Sequence, residues 1–393
     1  MKISGRQFSV VIFFMLVAFK VLSLPGLLYQ ACEQSGYISV FFGMLVDVGM
    51  VFISLIILKR SRKKNLYEFI SQYLGKVGAK VILIGLLLVP IIHIALKSKG
   101  LEWFLIENLY TDFKWFQFAL PMALLMAYMA YKGLRNISRV CEIFAWTIIV
   151  GVILIIVKSL GVIDTTFFLP FLSKGIKPIF TQLFKHLVWF GVSGEILLFA
   201  GEIDFSKLKK STTLKYCIIA IILIQVVMWC FYGIFGVTSP IHDLAISDIS
   251  QASNANVALD ELAWLIVSLW ALAQTLHLAI YGYVFCKGID LVFNFKHKFI
   301  SPAVLLVLVT IWIFIGEHTI ALDKYFTKPI LSWFMLIFQY IVPLLLFALS
   351  FIKKRDKSNP KPNKTRVKTN KQTKNIANTS RQNVKGANRR EYV

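Results

Sequence analysis

The chain has 393 residues, of which 57% are hydrophobic and only 16% are charged. Soluble domains carry about 25% charged residues and a smaller apolar share, so this composition excludes an ordinary soluble protein. The formal net charge is +23, a value at which a nucleic-acid partner has to be considered. A chain this apolar must keep its charges apart from its hydrophobic surface. The positions of the basic residues along the sequence therefore indicate their role.

Apolar runs of roughly 18–25 residues recur along the chain, and each is long enough to cross about 30 Å of hydrocarbon as a helix. The runs are rich in Leu, Ile and Phe on all faces and lack the alternation of a membrane β-barrel strand. The sequence therefore predicts an all-α polytopic membrane protein with ten transmembrane helices. The predicted spans are residues 8–29, 38–58, 80–96, 116–131, 140–157, 183–203, 214–235, 262–286, 299–316 and 330–352.

Basic residues cluster before the first predicted span and after spans two, four, six and eight. They include Lys2 and Arg6 and those in segments 59–64, 132–139, 207–215 and 287–298, which all fall on one side of the bundle. The positive-inside rule makes that side cytoplasmic. An even number of spans then predicts that both termini are cytoplasmic.

Residues 353–393 differ sharply in composition from the rest. They hold 14 Lys and Arg residues against two acidic residues and have almost no apolar side chain to bury, which predicts a disordered basic tail. Such a tail either binds anionic lipid or an acidic partner, or solubilises the chain and enforces its topology. It lacks interleaved aromatic residues, so nucleic-acid binding is disfavoured. The chain thus divides into a ten-helix transmembrane permease-like domain, residues 1–352, and a cytoplasmic tail.

Motifs of the common enzyme classes are missing from the sequence. There is no GxSxG, no HExxH, no P-loop and no Rossmann glycine run. The five cysteines show no spacing typical of a metal site or of a disulfide framework. The sequence therefore predicts neither an enzyme nor a cofactor or metal site.

Charged residues inside the apolar runs indicate where function could reside, because such charges usually face a cavity or one another. Lys20 lies about 12 residues into the first span, five residues before the helix-disrupting pair Pro25-Gly26. Glu195 lies near the middle of span six, directly after the segment 191–194, which contains two glycines. Asp47 lies in the middle of span two.

Interrupted helices one and six begin the two halves of a five-plus-five division. Secondary transporters built as inverted repeats place broken helices at corresponding positions and bind their ligand between them. The break positions therefore predict an inverted-repeat, transporter-like fold with a site at the membrane midplane.

Each polar position also has a structural interpretation. Lys20 and Glu195 form either an ion pair that locks two helices together or a ligand- or proton-coupled site. Asp47 is a third candidate for such a site, although a role in helix packing or water contact is favoured for it. His93, beside Pro90, and Gln274, near His277, hydrogen-bond either a ligand or a neighbouring helix.

Several motifs resemble the endospore germination permeases, the B subunits of germinant receptors in the amino acid–polyamine–organocation superfamily. The resemblance covers about residues 3–352, and its most specific part is a G-L-x-x-I-x-R-x-x-E pattern from Gly133 to Glu142. The other matching segments are residues 3–8, Leu24-Pro25, Leu169-Pro170 and Phe190-Gly191 leading to Glu195.

The resemblance implies a ten-helix inverted-repeat protein of the spore inner membrane. It also implies that a larger membrane A subunit and a lipoprotein C subunit are partners, and that a small germinant such as an amino acid is sensed. The chain has Ala18-Phe19-Lys20 where the family tends to have a Gly-rich stretch, which indicates an altered ligand site. The predicted ligand-binding residues are Phe19, Lys20, His93, Gly191, Gly194, Glu195 and Gln274.

Three functional hypotheses follow from these observations. The first is a germinant-receptor B subunit that binds a small nutrient in the membrane and signals spore germination. The second is a proton-coupled amino acid or amine permease in which Glu195 or Lys20 changes protonation. The third is a scaffold or passive conduit within a membrane complex, in which the two charges are structural.

Overall fold

The computed structural model describes residues 2–61, 65–109, 116–206, 208–252, 257–295, 297–316 and 328–351. Throughout these ranges the regular elements are helices, and the backbone pairing of Ile3 with Ile203 is an isolated bridge. The predicted all-α class is thereby confirmed. The predicted tail, residues 353–393, lies outside the described residues.

Fourteen α-helices are numbered here in chain order through the described part of the chain. A π-helical turn, Ile337–Ile341, joins the last two of them. The helices are α1 Gly5–Val17, α2 Leu24–Cys32, α3 Gly36–Arg60, α4 Leu66–Leu109, α5 Phe116–Lys132, α6 Leu134–Ser159, α7 Lys177–Lys185, α8 Ser193–Leu198, α9 Lys210–Phe235, α10 Ala245–Gln251, α11 Val257–Phe293, α12 Ile300–Gly316, α13 Pro329–Leu336 and α14 Val342–Leu349.

Six helical segments of the described chain are long and apolar enough to cross a membrane. Three further apolar helices are shorter, and two of these belong to predicted spans one and six, which are interrupted. The protein is therefore a multi-pass membrane protein, while the count of ten spans stays a prediction. The six segments are Leu24–Arg60, Leu66–Asn108, Leu134–Ser159, Lys210–Ile241, Ala263–Phe293 and Pro329–Leu349.

Local sequence signals explain several helix boundaries. Ser4 caps α1, because its hydroxyl accepts from the Gln7 backbone N–H while the Gln7 side chain accepts from the Ser4 N–H. Pro25 lies in the first turn of α2, where its missing N–H leaves no helical hydrogen bond unmade. Gly133 separates α5 from α6 with a φ of 87°, a conformation that favours glycine.

Helix α4 is kinked at Gly75, where φ is 76°, and the part after the kink is still much longer than the predicted span at residues 80–96. It continues to Leu109, so Lys97 lies inside a helix rather than at its end. The helix contacts α8 and packs closely along α11, and α11 in turn also contacts α1 and α8. These contacts bring the helices that flank both breaks together around one polar region.

Candidate functional site

The first helix break consists of residues 18–23, between α1 and α2. Prediction had placed the disruption at Pro25-Gly26, but those residues begin α2, and the chain is non-helical just before them. Lys20 lies within the break and is only 3% exposed. Its Nζ lies 3.1 Å from Asp47 Oδ2 on α3 and donates to the Leu16 carbonyl over 3.3 Å. The ammonium therefore has an anionic partner and a backbone acceptor.

Asp47 connects the first break to the second. Its Oδ1 accepts from the Gly191 backbone N–H over 2.8 Å and from the Tyr340 hydroxyl over 2.9 Å. Gly191 belongs to the break before α8, and Tyr340 belongs to the π-helical turn. One buried carboxylate thus joins both breaks and a third helix. Removing one partner of such a buried pair typically costs about 3–5 kcal/mol.

The second break follows a short 3₁₀ turn, Leu187–Trp189, and ends where α8 begins at Ser193. Gly191 has a φ of 83°, and a Cβ built there would lie 2.8 Å from the side chain of Gln339. A side chain at this position would be both strained and obstructed. The glycine therefore allows the backbone N–H to approach Asp47.

Glu195 lies in the first turn of α8 and is fully buried. Its Oε1 is 2.6 Å from His93 Nδ1, and its Oε2 accepts from Gln339 Nε2 over 2.6 Å. His93 Nε2 lies 3.0 Å from the Val188 carbonyl, which can only accept, so Nε2 carries a proton. The remaining proton is shared between His93 Nδ1 and Glu195 Oε1. The pair is either a carboxylic acid beside a neutral imidazole or a carboxylate beside an imidazolium.

Gln339 holds the start of α8 from the π-helical turn. Its Oε1 accepts from the Gly194 N–H over 2.8 Å, while its amide N–H binds Glu195. The Ser193 hydroxyl donates to the Gln339 carbonyl. Single π-helical turns inside α-helices occur frequently at functional sites. Here the π-helical turn directs both the oxygen and the nitrogen of the Gln339 side-chain amide toward the second break.

A second buried ammonium belongs to Lys97, one turn after His93 on α4 and 4% exposed. Its Nζ lies 2.9 Å from His277 Nε2 and 3.8 Å from the centroid of the Tyr281 ring. His277 Nδ1 donates to the Phe14 carbonyl over 2.8 Å, so Nε2 is free to accept from the ammonium. Lys97 forms no ion pair with any carboxylate in the described part of the chain.

Tyr281 lies beside both histidines of the cluster. Its ring centroid is 5.1 Å from that of His93 and 4.8 Å from that of His277. The hydroxyl is buried and has no hydrogen-bond partner among the described residues. Buried polar groups are usually satisfied by protein, water or ligand. The Lys97 ammonium and the Tyr281 hydroxyl are therefore donors with capacity left for a bound molecule.

The sequence profile of the spore permease family, described as spore germination proteins, matches residues 2–321 of the chain. That match covers well over half of its length. The chain belongs to the spore germination protein family. This family is of a receptor or permease type rather than an enzyme class.

A curated relative of this spore germination protein agrees with the profile. YfkT of Bacillus subtilis (strain 168), which is named for spore germination, is 22% identical over 363 residues. The alignment covers 83% of this chain and 89% of the relative. The predicted resemblance to germination permeases is thereby confirmed at the level of the family.

The seven predicted ligand-binding residues all lie at or beside the two breaks of this spore germination protein. Gln274 donates to the Ala18 carbonyl over 2.5 Å, and a Cβ at Gly100 would lie 2.8 Å from the Phe19 ring. Gly191, Gly194, Glu195 and His93 surround the second break. Whether they contact a ligand stays a prediction.

Of the two alternatives for Lys20 and Glu195, the direct ion pair is wrong. Lys20 pairs with Asp47 instead, and Glu195 binds His93 and Gln339. For Asp47 the sequence only favours helix packing or water contact over a functional role, since a lone acidic residue in an apolar run carries no signal of its partner. In the folded chain the first break lies against α3, which brings Lys20 to Asp47 rather than to Glu195.

Five further members of the cluster were missed or left unassigned, among them Tyr281, which lies one turn after His277 on α11. His277 had been considered only beside Gln274. Lys97 directly follows the predicted span at residues 80–96 and received no assignment from the sequence, although a charge four residues after His93 on one helix face is a signal that could have identified it. Gln339 and Tyr340 are ordinary residues of an apolar run, and the π-helical turn that orients them has no sequence signature.

Proposed function

We propose that this spore germination protein is the B subunit of a germinant receptor and that it binds a small carboxylate-bearing germinant, such as an amino acid, between the two helix breaks. The observation that carries the proposal is a pair of donors buried beside the breaks: the Lys97 amino group, which hydrogen-bonds His277 but has no carboxylate partner among the described residues, and the Tyr281 hydroxyl, which has no hydrogen-bond partner there. A carboxylate accepts from both groups and supplies the negative charge that Lys97 lacks. Hydrogen bonds to charged groups are worth about 1.5–3 kcal/mol each.

Ligand binding at this place can act as a switch because it touches parts of several helices. Lys97 lies on α4, and His277 and Tyr281 lie on α11, while the first break hydrogen-bonds to α11 through Gln274. A ligand shifts the bundle only if it binds two arrangements unequally. An anion that draws Lys97 away from His277 alters contacts on both sides of the break, which provides such a difference.

The wider assignment is also part of the proposal. The protein spans the spore inner membrane ten times as a five-plus-five inverted repeat, with both termini in the cytoplasm and the basic loops on that side. It works with a membrane A subunit and a lipoprotein C subunit, and residues 353–393 bind anionic lipid. Family membership and the two broken helices support this arrangement.

Germination assays test the proposal directly. Spores that lack the gene are compared with complemented spores over a panel of amino acids, sugars and nucleosides, and loss of the response to at least one carboxylate-bearing nutrient is expected. For that nutrient, an amide or decarboxylated analogue should fail to germinate wild-type spores. Normal responses of the deletion strain to every nutrient would contradict the receptor role, and an equally active analogue would contradict carboxylate recognition.

The runner-up function is a proton-coupled amino acid or amine permease. The His93–Glu195 pair favours it, because the single proton between Nδ1 and Oε1 can reside on either partner. Uptake of labelled amino acids into proteoliposomes under an imposed pH gradient separates the two functions, since a pure receptor shows none. If uptake occurs, Glu195→Gln, which cannot exchange that proton, should abolish its dependence on the gradient while Lys80→Met leaves it intact.

A further inference from the structure

A cavity of about 470 Å³ lies at one end of the helix bundle, away from the two breaks. It is lined by the C-terminal end of α5, the N-terminal end of α6, the C-terminal part of α11 and the start of α12. Five of its lining side chains are basic and two are acidic. The basic ones are Lys132, Arg135, Arg139, Lys287 and Lys298.

The two acidic side chains of the cavity already have partners. Glu202 Oε1 lies 2.5 Å from Lys287 Nζ, and Asp290 accepts from the hydroxyl of Ser301. Only the first of these contacts is an ion pair, and two acidic side chains cannot balance five basic ones. The cavity therefore keeps a positive excess that its own acidic residues do not neutralise.

Arg139 and Lys298 provide the excess most directly, because neither has an ionic partner in the part of the chain that the structure describes. Lys132 also has no carboxylate there, and its Nζ lies 5.2 Å and 6.0 Å from the ring centroids of Tyr128 and Tyr131. Basic residues beside a span fix orientation wherever in the loop they lie. Orientation alone gives no reason for them to surround a cavity.

The most specific motif of the sequence forms one wall of this cavity. Gly133, Leu134 and Arg139 all belong to the G-L-x-x-I-x-R-x-x-E pattern, and all three line the cavity. The last residue of the pattern, Glu142, points its carboxylate to Arg6 at 3.3 Å. None of these residues takes part in the cluster at the helix breaks, so that cluster does not explain the motif.

We propose that this cavity is a second ligand site, which binds the phosphate group of an organic phosphate through Arg139 and Lys298. Arginine and lysine both recognise phosphate oxygens, arginine through its planar fork and lysine as a point charge. The volume lies within the range of about 300–1,000 Å³ typical of small-molecule sites and exceeds the needs of a bare phosphate ion. The buried Tyr283, Cys286 and Pro302 supply an apolar wall for the organic part.

Two sources of this chemistry fit the cavity, an anionic lipid headgroup and a soluble phosphate ester. Binding to the purified full-length protein in detergent is measured by calorimetry with short-chain phosphatidylglycerol and with AMP. Short-chain phosphatidylcholine serves as the zwitterionic control. Saturable binding of phosphatidylglycerol identifies a headgroup site, and saturable binding of AMP identifies a site for soluble phosphates.

The double variant Arg139→Gln/Lys298→Gln should weaken that binding roughly tenfold or more, because two charged contacts are lost. A matched control, Lys209→Gln/Lys210→Gln, removes the same charge from exposed positions outside the cavity and should change affinity less than about twofold. If the first variant does not fold, Asn136→Trp fills the cavity, which Asn136 lines, without altering its charge and should also abolish binding. No saturable binding of either probe, or equal loss in the control, would overturn the proposal.

Discussion

Two lysines of this protein are buried to nearly the same extent but have opposite surroundings. Lys20 is 3% exposed and faces the Asp47 carboxylate at 3.1 Å, whereas Lys97 is 4% exposed and faces a neutral ring nitrogen of His277. A buried charge without an opposite charge is costly in a membrane interior. The comparison teaches that one ammonium holds the helix breaks in place, while the other is left open to an anion from outside the chain.

The largest expected effect comes from breaking the ion pair between Lys20 and Asp47. Lys20→Met leaves Asp47 buried without its cation, and the free energy of unfolding should fall by about 3–5 kcal/mol. Thermal unfolding of the detergent-purified protein measures this loss. Adding Asp47→Asn removes the stranded charge and should recover part of the stability, since an amide oxygen still accepts from Gly191 and Tyr340.

Lys80 provides the matched control for this experiment, because it is an exposed lysine on α4. Lys80→Met should alter stability by less than about 0.5 kcal/mol. If Lys20→Met were no more destabilising than Lys80→Met, the pair with Asp47 would not hold the breaks together.

Replacing Lys97, the lysine without a carboxylate partner, should have the opposite effect on stability. Lys97→Met removes a buried charge that has no carboxylate partner, so stability should stay constant or rise. Affinity for a carboxylate-bearing germinant should fall about 10- to 100-fold, which corresponds to one charged hydrogen bond. Thermal unfolding and the germinant dose–response of complemented spores measure the two effects separately. A large loss of stability with unchanged response would reverse the assignments of the two lysines.

The two buried carboxylates allow the same comparison with a smaller effect. Asp47 has a cation, whereas Glu195 receives one of its hydrogen bonds from the neutral amide of Gln339. Gln339→Met leaves the Gly194 N–H and Glu195 Oε2 without these partners, at a cost of about 1–3 kcal/mol for an unsatisfied buried group. Unfolding measurements should therefore rank this variant between Lys20→Met and Lys80→Met, and a loss as large as that of Lys20→Met would contradict the ranking.

The sequence alone predicted the elements that carry the two lysines but not their partners. The break in span six follows from the glycines at 191 and 194, because these residues act on their own backbone. The break in span one is predicted only approximately, because Pro25-Gly26 begin α2 and the non-helical residues precede them. Whether Lys20 meets Asp47 or Glu195 depends on how α3 and α8 pack, which is a long-range property. Lys97 is buried because α4 continues past residue 96. Helix ends are the least certain feature of a sequence pattern, so the sequence did not indicate this burial.

Asp248 gives the smallest effect and extends the comparison to an acidic residue outside the membrane-spanning segments. It lies on α10, where it accepts from the Leu244 N–H over 3.2 Å. Burial raises the pKa of its carboxyl to about 6, and the nearby charges of Asp243 and Glu107 act in the same direction. Burial also lowers the pKa of His242, whose Nδ1 lies 3.6 Å away, so the imidazole supplies little positive charge at neutral pH.

A carboxyl whose pKa is higher in the folded state binds its proton more tightly there, so it stabilises the fold at low pH. That contribution should be lost as the pH rises from about 4 to about 6, by roughly 1–2 kcal/mol after allowance for partial exposure. Asp248→Asn keeps an acceptor for Leu244 but cannot ionise. The difference in unfolding free energy between variant and wild type should therefore grow in favour of the variant as the pH rises through this interval. A constant difference would mean that burial does not disfavour the charged form of Asp248, in contrast to the burial of Lys97 without a carboxylate partner.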